Sequence, residues 1–207
     1  MRHIDRIVSG VGNLTEILND FLSVEQLESG AIEKGISLFD MRAFMTEVMA
    51  DMEGMLGKKG QRIIYRHEGP ETVLQSDKIL RNVLLNLLSN ASKYSGDKEE
   101  IQLTSFVTGD RVVITVKDFG IGIPDEDQGK MFTGFFRAGN VDHIQGTGLG
   151  LSIVKKYVDL MGGNISFTSK LGTGTEFTVE VPQIVANKYN RIKKNTEETT
   201  DIQEGVS

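Results

Sequence analysis

The sequence predicts an α/β two-layer sandwich: a mixed, largely antiparallel sheet with helices on one face, preceded by one long helix suited to dimerisation. Three observations predict it. Helical patterns alternate with short strand patterns between residues 36 and 181. Two of those strands are joined by a tight Thr108-Gly109-Asp110 turn, which is typical of an antiparallel hairpin. Residues 1–29 carry a separate apolar pattern without proline, which indicates a long helix.

The apolar side chains of residues 1–29 follow a heptad spacing. They are separated by 3, 4, 3, 4 and 3 positions at Ile4, Ile7, Val11, Leu14, Leu18 and Phe21. A single amphipathic helix cannot bury its own apolar stripe, so this helix needs a partner. We expect residues 1–30 to form part of a dimer or a bundle. The alternative is that the helix packs on its own globular domain.

Three further helices are predicted. The first spans residues 41–58, with Asp40 as its N-cap and Lys59-Gly60 at its end. The second spans residues 77–94. The third spans residues 149–161 and begins inside a run of glycines.

Strand patterns separate these helices, at residues 36–39, 63–65, 72–75, 101–107, 111–117, 164–169 and 175–181. Residues 118–147 form a glycine-rich stretch that is far longer than the usual loop of about 4–6 residues. The elements together predict one domain over residues 31–182. The polar residues 183–207 predict a C-terminal tail or linker.

Composition and charge exclude several classes of protein. The chain has no cysteine and three scattered histidines, which excludes a zinc-thiolate site, a thiol nucleophile and a histidine cluster for metal. Its net charge of -6 argues against a nucleic-acid binder. No apolar run approaches the roughly 20 residues that span a bilayer, so we expect no membrane contact by this chain. The expected location is cytoplasmic, which is compatible with a membrane anchor elsewhere in the whole protein.

The predicted helix over residues 77–94 has two different faces. One arc is apolar, while the opposite arc carries Asn82, Asn86, Asn90 and Lys93. Asparagine is a poor helix former and an unusual choice for a solvated face. Amide oxygens beside an ammonium group can present ligands to a hydrated Mg²⁺ and positive charge to phosphates. The alternative is a polar exposed face without a ligand.

Three glycine-rich turns follow. Asp118-Phe119-Gly120-Ile121-Gly122 ends a strand, where glycines let the backbone approach a flat ligand and a carboxylate can accept from an exocyclic amine. Residues 146–151 open the last helix, whose N-terminal N–H groups can bind a polyphosphate. Residues 172–175 join the last two strands. Taken singly, the first and third are also compatible with ordinary turns.

In this order, the four features resemble the ATP-binding domain of sensor histidine kinases, within the superfamily of type II topoisomerase and ninety-kilodalton chaperone ATPases. Residues 86–94 are similar to its asparagine box. Residues 118–122 are similar to its first glycine box, residues 132–137 to its phenylalanine box and residues 146–151 to its second glycine box. Residues 17–30 resemble the end of the second helix of the family's dimerisation hairpin.

The resemblance implies ATP and Mg²⁺ as ligands and a role for each matching residue in the asparagine box and the first glycine box. Asn90 would hold the Mg²⁺, with Asn86 in support. Lys93 would contact phosphate, and Tyr94 would lie along the adenine. Asp118 would bind the adenine amino group.

The remaining implied roles lie in the glycine boxes and in a lid over residues 125–146. Gly120 and Gly122 would admit the base, and Thr175 would help to close its pocket. The phosphates would be wrapped by Gly146, Thr147, Gly148, Leu149 and Gly150. Arg137 would contact the γ-phosphate, which makes Arg137 and Asn86 the implied catalytic side chains.

The sequence departs from the kinase pattern at two places and from that of the ATP-hydrolysing relatives at a third. Thr133 stands where the phenylalanine box usually has an acidic residue. The ATP-hydrolysing relatives carry a Glu where this chain has Asn86, and an amide cannot accept a proton as a general base. The family's acceptor His, followed by an acidic residue and a nearby Pro, has no match here, because His3 is followed by Ile4-Asp5-Arg6. We therefore expect the acceptor helix to be missing from this chain.

The resemblance thus implies the catalytic core of a histidine kinase, which transfers the γ-phosphoryl group of ATP to a histidine for relay to a response-regulator receiver domain. Two alternatives stay open. One is a nucleotide-binding dimerisation module without transfer activity. The other is a serine kinase or slow ATPase of the same superfamily.

Overall fold

The computed structural model describes residues 35–141, 144 and 146–184. The predicted N-terminal helix and polar tail lie outside these residues. The helices are α1 Met41–Lys59, α2 Asp77–Tyr94, α3 Asp125–Gln128 and α4 Gly150–Leu160. The strands are β1 Ser37–Asp40, β2 Arg62–Glu68, β3 Thr72–Gln75, β4 Glu100–Val107, β5 Arg111–Lys117, β6 Asn164–Lys170 and β7 Gly174–Pro182.

The main sheet has five strands in the order β2-β4-β5-β7-β6. β2 and β4 are parallel, and every other pair in this sheet is antiparallel. β1 and β3 form a separate antiparallel pair. The predicted mixed, largely antiparallel sheet is therefore confirmed, as is the β4–β5 hairpin, whose turn is closed by a bond from Thr108 N to Arg111 O.

Capping residues fix the ends of the helices. The side chain of Asp40 accepts a hydrogen bond from Ala43 N (2.8 Å), which satisfies a free N–H group of the first turn of α1. The same helix ends at Gly60, whose φ of 66° favours glycine. Ser76 caps α2 by accepting from Ile79 N. The predicted α1 ends one residue early, and the predicted α4 extends one residue too far at each end.

The helices cover one face of the sheet. Along β4, Ile101, Leu103, Ser105 and Val107 are buried while the residues between them are exposed, so one face of the strand meets the core. The apolar arc of α2 is buried against this face, as predicted, at Leu80, Val83, Leu84, Leu87, Leu88 and Ala91. Burying a Leu or Ile side chain is worth about 1.5–3 kcal/mol, so this interface is a major part of the stability.

Besides shifts of about one residue at the ends of other elements, two larger differences from the sequence predictions stand out. β2 has seven residues rather than three, because pairing with β4 extends regular backbone through the polar Arg66, His67 and Glu68. α3 was not predicted, since its four polar residues carry no apolar periodicity. In the part of the chain that the structure describes, no helix combines the length and apolar character needed to cross a membrane.

Candidate functional site

A cleft of about 750 Å³ opens between the end of α1, α2, the segment that follows β5, the segment before α4 and the start of β7. This volume suits a small ligand. The cleft is lined by most of the residues predicted for the site: Asn86, Asn90, Lys93, Tyr94, Asp118, Gly122, Arg137, Gly146, Thr147, Gly148, Gly150 and Thr175. Gly120 and Leu149 lie outside its lining. The fold therefore brings together predicted residues from five separate parts of the sequence.

The polar face of α2 forms one wall of the cleft. Asn86 Nδ2 donates to the backbone oxygen of Asn82 (3.0 Å), and this bond orients the amide. Its Oδ1 lies 3.0 Å from the position that a Cβ would take at Gly150, so it faces the start of α4. Lys93 Nζ lies 2.6 Å from the corresponding position at Gly146. An ammonium group and an amide thus meet the glycine loop, an arrangement suited to a polyphosphate.

Asp118 lies in the opposite wall and is only 7% exposed. Its Oδ1 accepts hydrogen bonds from Gly120 N (2.9 Å) and Thr175 N (3.2 Å). Burial raises the pKa of this carboxyl, and the two backbone donors act in the opposite direction. Within the described residues, Oδ2 takes part in no hydrogen bond, so it can accept from a donor on a ligand that enters the cleft.

The raised pKa of Asp118 predicts a pH-dependent cost in stability. A carboxyl whose pKa is higher in the folded than in the unfolded protein stabilises the fold below its unfolded pKa of about 3.9, and this contribution is lost as the pH rises through the folded pKa. We therefore expect Asp118→Asn to be more stable than the ligand-free wild type at pH 7. The difference should shrink toward pH 4 in urea denaturation. If the two proteins differed by the same free energy of unfolding at pH 7 and at pH 4, the pKa of Asp118 would not be raised in the folded protein.

The glycines after β5 are required by contacts between backbone segments. A Cβ at Gly120 would lie 2.2 Å from Tyr94 O, so this glycine lets the end of β5 approach the end of α2. Gly122 has a φ of 64°, and a Cβ there would lie 2.1 Å from Lys170 O. The reason predicted from the sequence, access for a flat ligand, stays a prediction. Only Gly122 of the two lines the cleft.

Gly120→Ala is expected to destabilise the fold by about 2–4 kcal/mol, because the new Cβ must displace backbone. Gly109→Ala provides a matched control: nothing lies within 4 Å of a Cβ at Gly109, in the β4–β5 turn. The control should change the free energy of unfolding by about 0.5 kcal/mol or less. Urea denaturation of both variants checks the expectation. Equal losses in the two would show that the approach to Tyr94 is not tight.

The glycine-rich segment before α4 packs on the phenylalanine box. Gly148 has a φ of 75°, and a Cβ there would lie 2.9 Å from Phe135 C and from Phe136 O. Leu149 N donates to Thr147 Oγ1 (3.1 Å), which shapes the turn into the helix. The backbone N–H groups of the first turn of α4 have no intrahelical partner, and Gly150 at its start lines the cleft. This is the geometry from which helix N-termini bind anions.

Arg137 lines the cleft, but its guanidinium contacts its own segment. Nη2 donates to Val141 O (2.7 Å) and to Ile144 O. These bonds hold the turn that precedes the glycine loop. The γ-phosphate contact predicted for Arg137 stays a prediction.

Sequence reasoning missed several contributors to the cleft, among them Lys58 and Lys59 at the end of α1. Asn140 Nδ2 donates to Gly122 O (2.9 Å), which joins the predicted lid to the first glycine box. Ile123, Met131, Phe136 and Phe177 supply an apolar surface suited to a flat base. Phe177 is supported from behind by Phe167, at 5.4 Å between ring centroids. The spacing of these residues along the sequence gives no signal of a common site.

The residues of the cleft suit Mg²⁺ only if a bound ligand supplies some of the oxygen atoms that coordinate it. Among the described residues, no group of three His, Cys, Asp or Glu side chains could hold a metal ion alone. Asn90 and Asn86 offer amide oxygens, and Mg²⁺ takes one or two protein oxygens and completes its octahedron with phosphates and water. A metal bound to Asn90 is therefore expected to arrive with a phosphate ligand.

Comparisons with known proteins agree with this geometry. Residues 75–184 match the family model described as histidine kinase-, DNA gyrase B-, and HSP90-like ATPase. The circadian input-output histidine kinase CikA of Synechococcus elongatus is 34% identical over 176 residues, which are 83% of this chain and 23% of CikA. The sensor histidine kinase RcsC of Escherichia coli strain K12 is 35% identical over 188 residues, which are 86% of this chain and 20% of RcsC.

Solved structures show the same fold. Full-length ShkA in complex with AMPPNP has a TM-score of 0.75 and 29% identity, over 89% of this chain and 39% of ShkA. The catalytic domain of the histidine kinase ThkA has a TM-score of 0.62 and 29% identity, over 73% of this chain and 99% of that domain. The chain spans about a fifth of the length of the curated relatives. Sequence and fold together place it in the histidine kinase-, DNA gyrase B- and HSP90-like ATPase family, with sensor histidine kinases as its relatives.

Proposed function

We propose that this chain is the ATP-binding catalytic core of a sensor histidine kinase. It holds Mg-ATP and passes the γ-phosphoryl group to a histidine, from which the group is relayed to an aspartate of a response-regulator receiver domain. The single observation that supports this proposal most is the cleft itself. A buried carboxylate, Asp118, lines one part, and a lysine beside a glycine loop, Lys93 at Gly146, lines another.

The adenine base lies against the apolar surface that includes Ile123 and Phe177. Its exocyclic amine donates to Asp118 Oδ2, because Oδ1 is occupied by the N–H groups of Gly120 and Thr175. The hydrogen bond between Thr175 Oγ1 and Ser169 Oγ (2.8 Å) holds Thr175 in place behind the carboxylate. The carboxylate is thus oriented before the ligand arrives, which lowers the cost of binding.

The triphosphate extends from the base toward α2 and α4. Lys93 neutralises phosphate charge, and the N–H groups at the start of α4 donate to phosphate oxygens. Asn90, supported by Asn86, holds the Mg²⁺, which supplies positive charge to the phosphate oxygens when bound. Catalysis rests on positioning and charge neutralisation, since an amide at Asn86 cannot take a proton from water.

The partners follow from this role. A second copy of the chain binds through the apolar stripe of residues 1–29, and a receiver domain accepts the phosphoryl group. We propose a cytoplasmic site of action and no contact with nucleic acid or membrane by this part of the whole protein.

The test is incubation with γ-labelled ATP, alone and with a purified dimerisation hairpin that carries an acceptor histidine. We expect label on the hairpin only, labile in acid and stable in base as phosphohistidine is. A hairpin with His→Gln and the Asn90→Ala variant should both remain unlabelled. Acid-stable label on serine would indicate a serine kinase, and rapid release of inorganic phosphate would indicate an ATPase. Binding of ATP without any transfer in cis or in trans would favour the dimerisation module.

A further inference from the structure

The end of α1 is bound to the end of α2 through one lysine side chain. Lys59 Nζ donates to three backbone oxygens: Ser92 O (2.8 Å), Lys93 O (3.2 Å) and Ser95 O (3.0 Å). The last carbonyls of a helix have no intrahelical partner and carry the negative end of the helix dipole. A half-buried ammonium at this point satisfies three such oxygens at once.

A glutamine two residues later binds the same turn. Gln61 Nε2 donates to Ser92 O (3.1 Å) and Gly96 O (2.8 Å), and Gln61 Oε1 accepts from Ser92 Oγ (2.6 Å). Gln61 is 6% exposed and Ser92 is 1% exposed. Because these bonds are buried, breaking them leaves polar groups without water, and the geometry is tightly fixed. We call Lys59 and Gln61 the α2 clamp.

The turn held by the α2 clamp also carries the nucleotide site. Lys93, whose ammonium lies beside Gly146, and Tyr94, which lines the cleft, both belong to it. Tyr94 O accepts a hydrogen bond from Ile121 N (3.2 Å), in the middle of the first glycine box. The backbone at Gly120 also packs closely against the same carbonyl, since a Cβ there would lie 2.2 Å from Tyr94 O. A shift of this turn must therefore move a phosphate contact and the segment that follows Asp118 together.

We propose that Lys59 and Gln61 are positioning residues for nucleotide binding, which set the asparagine box and the first glycine box relative to each other. The inference rests on the proposed nucleotide site. The proposed role of Lys59 and Gln61 has a different consequence from that of ordinary helix capping. A cap stabilises the folded protein and leaves the affinity of the folded protein for a ligand unchanged. The α2 clamp controls that affinity, because it acts on groups in both walls of the cleft.

Calorimetric titration of Lys59→Met with Mg-ADP tests the proposal. Methionine keeps the length and the apolar stem but removes the donors and the charge. We expect about five- to tenfold weaker binding, less than the loss of a charge-assisted hydrogen bond to the nucleotide itself would cause, because the α2 clamp acts on the site indirectly. Lys59→Arg restores donors and charge, and it should recover most of the affinity. The amide resonances of Gly120 and Ile121 should shift in Lys59→Met without ligand and return toward their wild-type positions in Lys59→Arg.

Two controls separate positioning from stability. Lys155→Met removes a lysine that pairs with Asp159 on α4, outside the cleft, and it should bind as the wild type does. Val112→Ala lowers stability at the end of β5 opposite Asp118, and it too should bind normally while folded. Because Lys59 itself lines the cleft and Gln61 does not, Gln61→Leu is the second variant, and its affinity should also fall severalfold. Wild-type affinity in Gln61→Leu together with weaker binding by Lys59→Met would assign Lys59 a direct contact instead of a positioning role.

The outcomes separate this inference from the proposed function. Wild-type affinity in folded Lys59→Met would overturn the positioning role while leaving the nucleotide site intact. An equal loss of affinity in Lys59→Met and Val112→Ala would also overturn it, since stability alone would then explain both. Absence of ADP binding by the wild-type protein would instead defeat the proposed function, on which this inference depends.

Discussion

Asp118→Asn is expected to lower the affinity for Mg-ADP by about 10- to 100-fold, because a hydrogen bond to a charged group is worth about 1.5–3 kcal/mol. The orientation of the new amide is fixed by its neighbours. Gly120 N and Thr175 N must meet an acceptor at Oδ1, so the NH₂ group takes the position of Oδ2. A donor then faces the exocyclic amine of adenine, where the wild type presents an acceptor.

The same substitution should change which base is preferred. Inosine carries a keto oxygen where adenosine has its amine, and the wild-type carboxylate repels that oxygen. The amide of Asp118→Asn can donate to it, so the preference for ADP over IDP should narrow or reverse. Calorimetry with both nucleotides measures the ratio. Asp110→Asn, in the exposed β4–β5 turn, is the matched control and should leave both affinities unchanged. An unaltered ADP/IDP ratio in Asp118→Asn would remove Asp118 from base recognition.

Asn90→Ala is expected to abolish most of the contribution of Mg²⁺ to nucleotide binding. The affinity for Mg-ADP should fall by about tenfold or more, while the affinity for ADP in excess EDTA should change little, since a metal ligand acts only when metal is present. Paired titrations with and without Mg²⁺ give both values for each protein. The expected signature is a collapse of the difference between the two conditions in Asn90→Ala.

Asn82→Ala is the control for this experiment. Asn82 lies on the same polar face of α2 but outside the lining of the cleft. Its backbone oxygen, which orients Asn86, is kept in the variant. Asn82→Ala should therefore retain the Mg²⁺ dependence of the wild type. A similar loss in both variants would attribute the effect to the helix, and an equal drop with and without metal in Asn90→Ala would assign Asn90 to direct nucleotide contact.

The parts of the fold that could be predicted are those that local sequence patterns encode. The buried arc of α2 follows from apolar residues at helical spacing, and the start of α1 follows from the ability of Asp40 to cap it. The β4–β5 hairpin follows from two alternating runs around a short turn. By contrast, the parallel pairing of β2 with β4 joins strands separated by the whole of α2, and no local pattern encodes it.

The candidate site could likewise be predicted only in part. Most residues predicted from the motifs line the cleft, but its apolar lining and the contacts that hold it were not predicted. The bond from Lys59 to Ser92 O spans 33 positions, and that from Asn140 to Gly122 O spans 18. A carbonyl acceptor places no demand on residue type, so such contacts leave little trace in one sequence. For the same reason the carbonyl partners of Arg137 were unforeseen.

Titration of a nitrogen-15-labelled sample with Mg-AMPPNP, followed by amide resonances, tests most directly the central claim that this cleft binds ATP. The changes should saturate at one nucleotide per chain. They should concentrate at Asn90, Asp118, Gly122, Gly148 and Gly150, which come together only in the folded cleft. The exposed turn at Gly109 should stay unchanged. Saturable changes that cluster away from these residues, or no change at millimolar nucleotide, would contradict the claim.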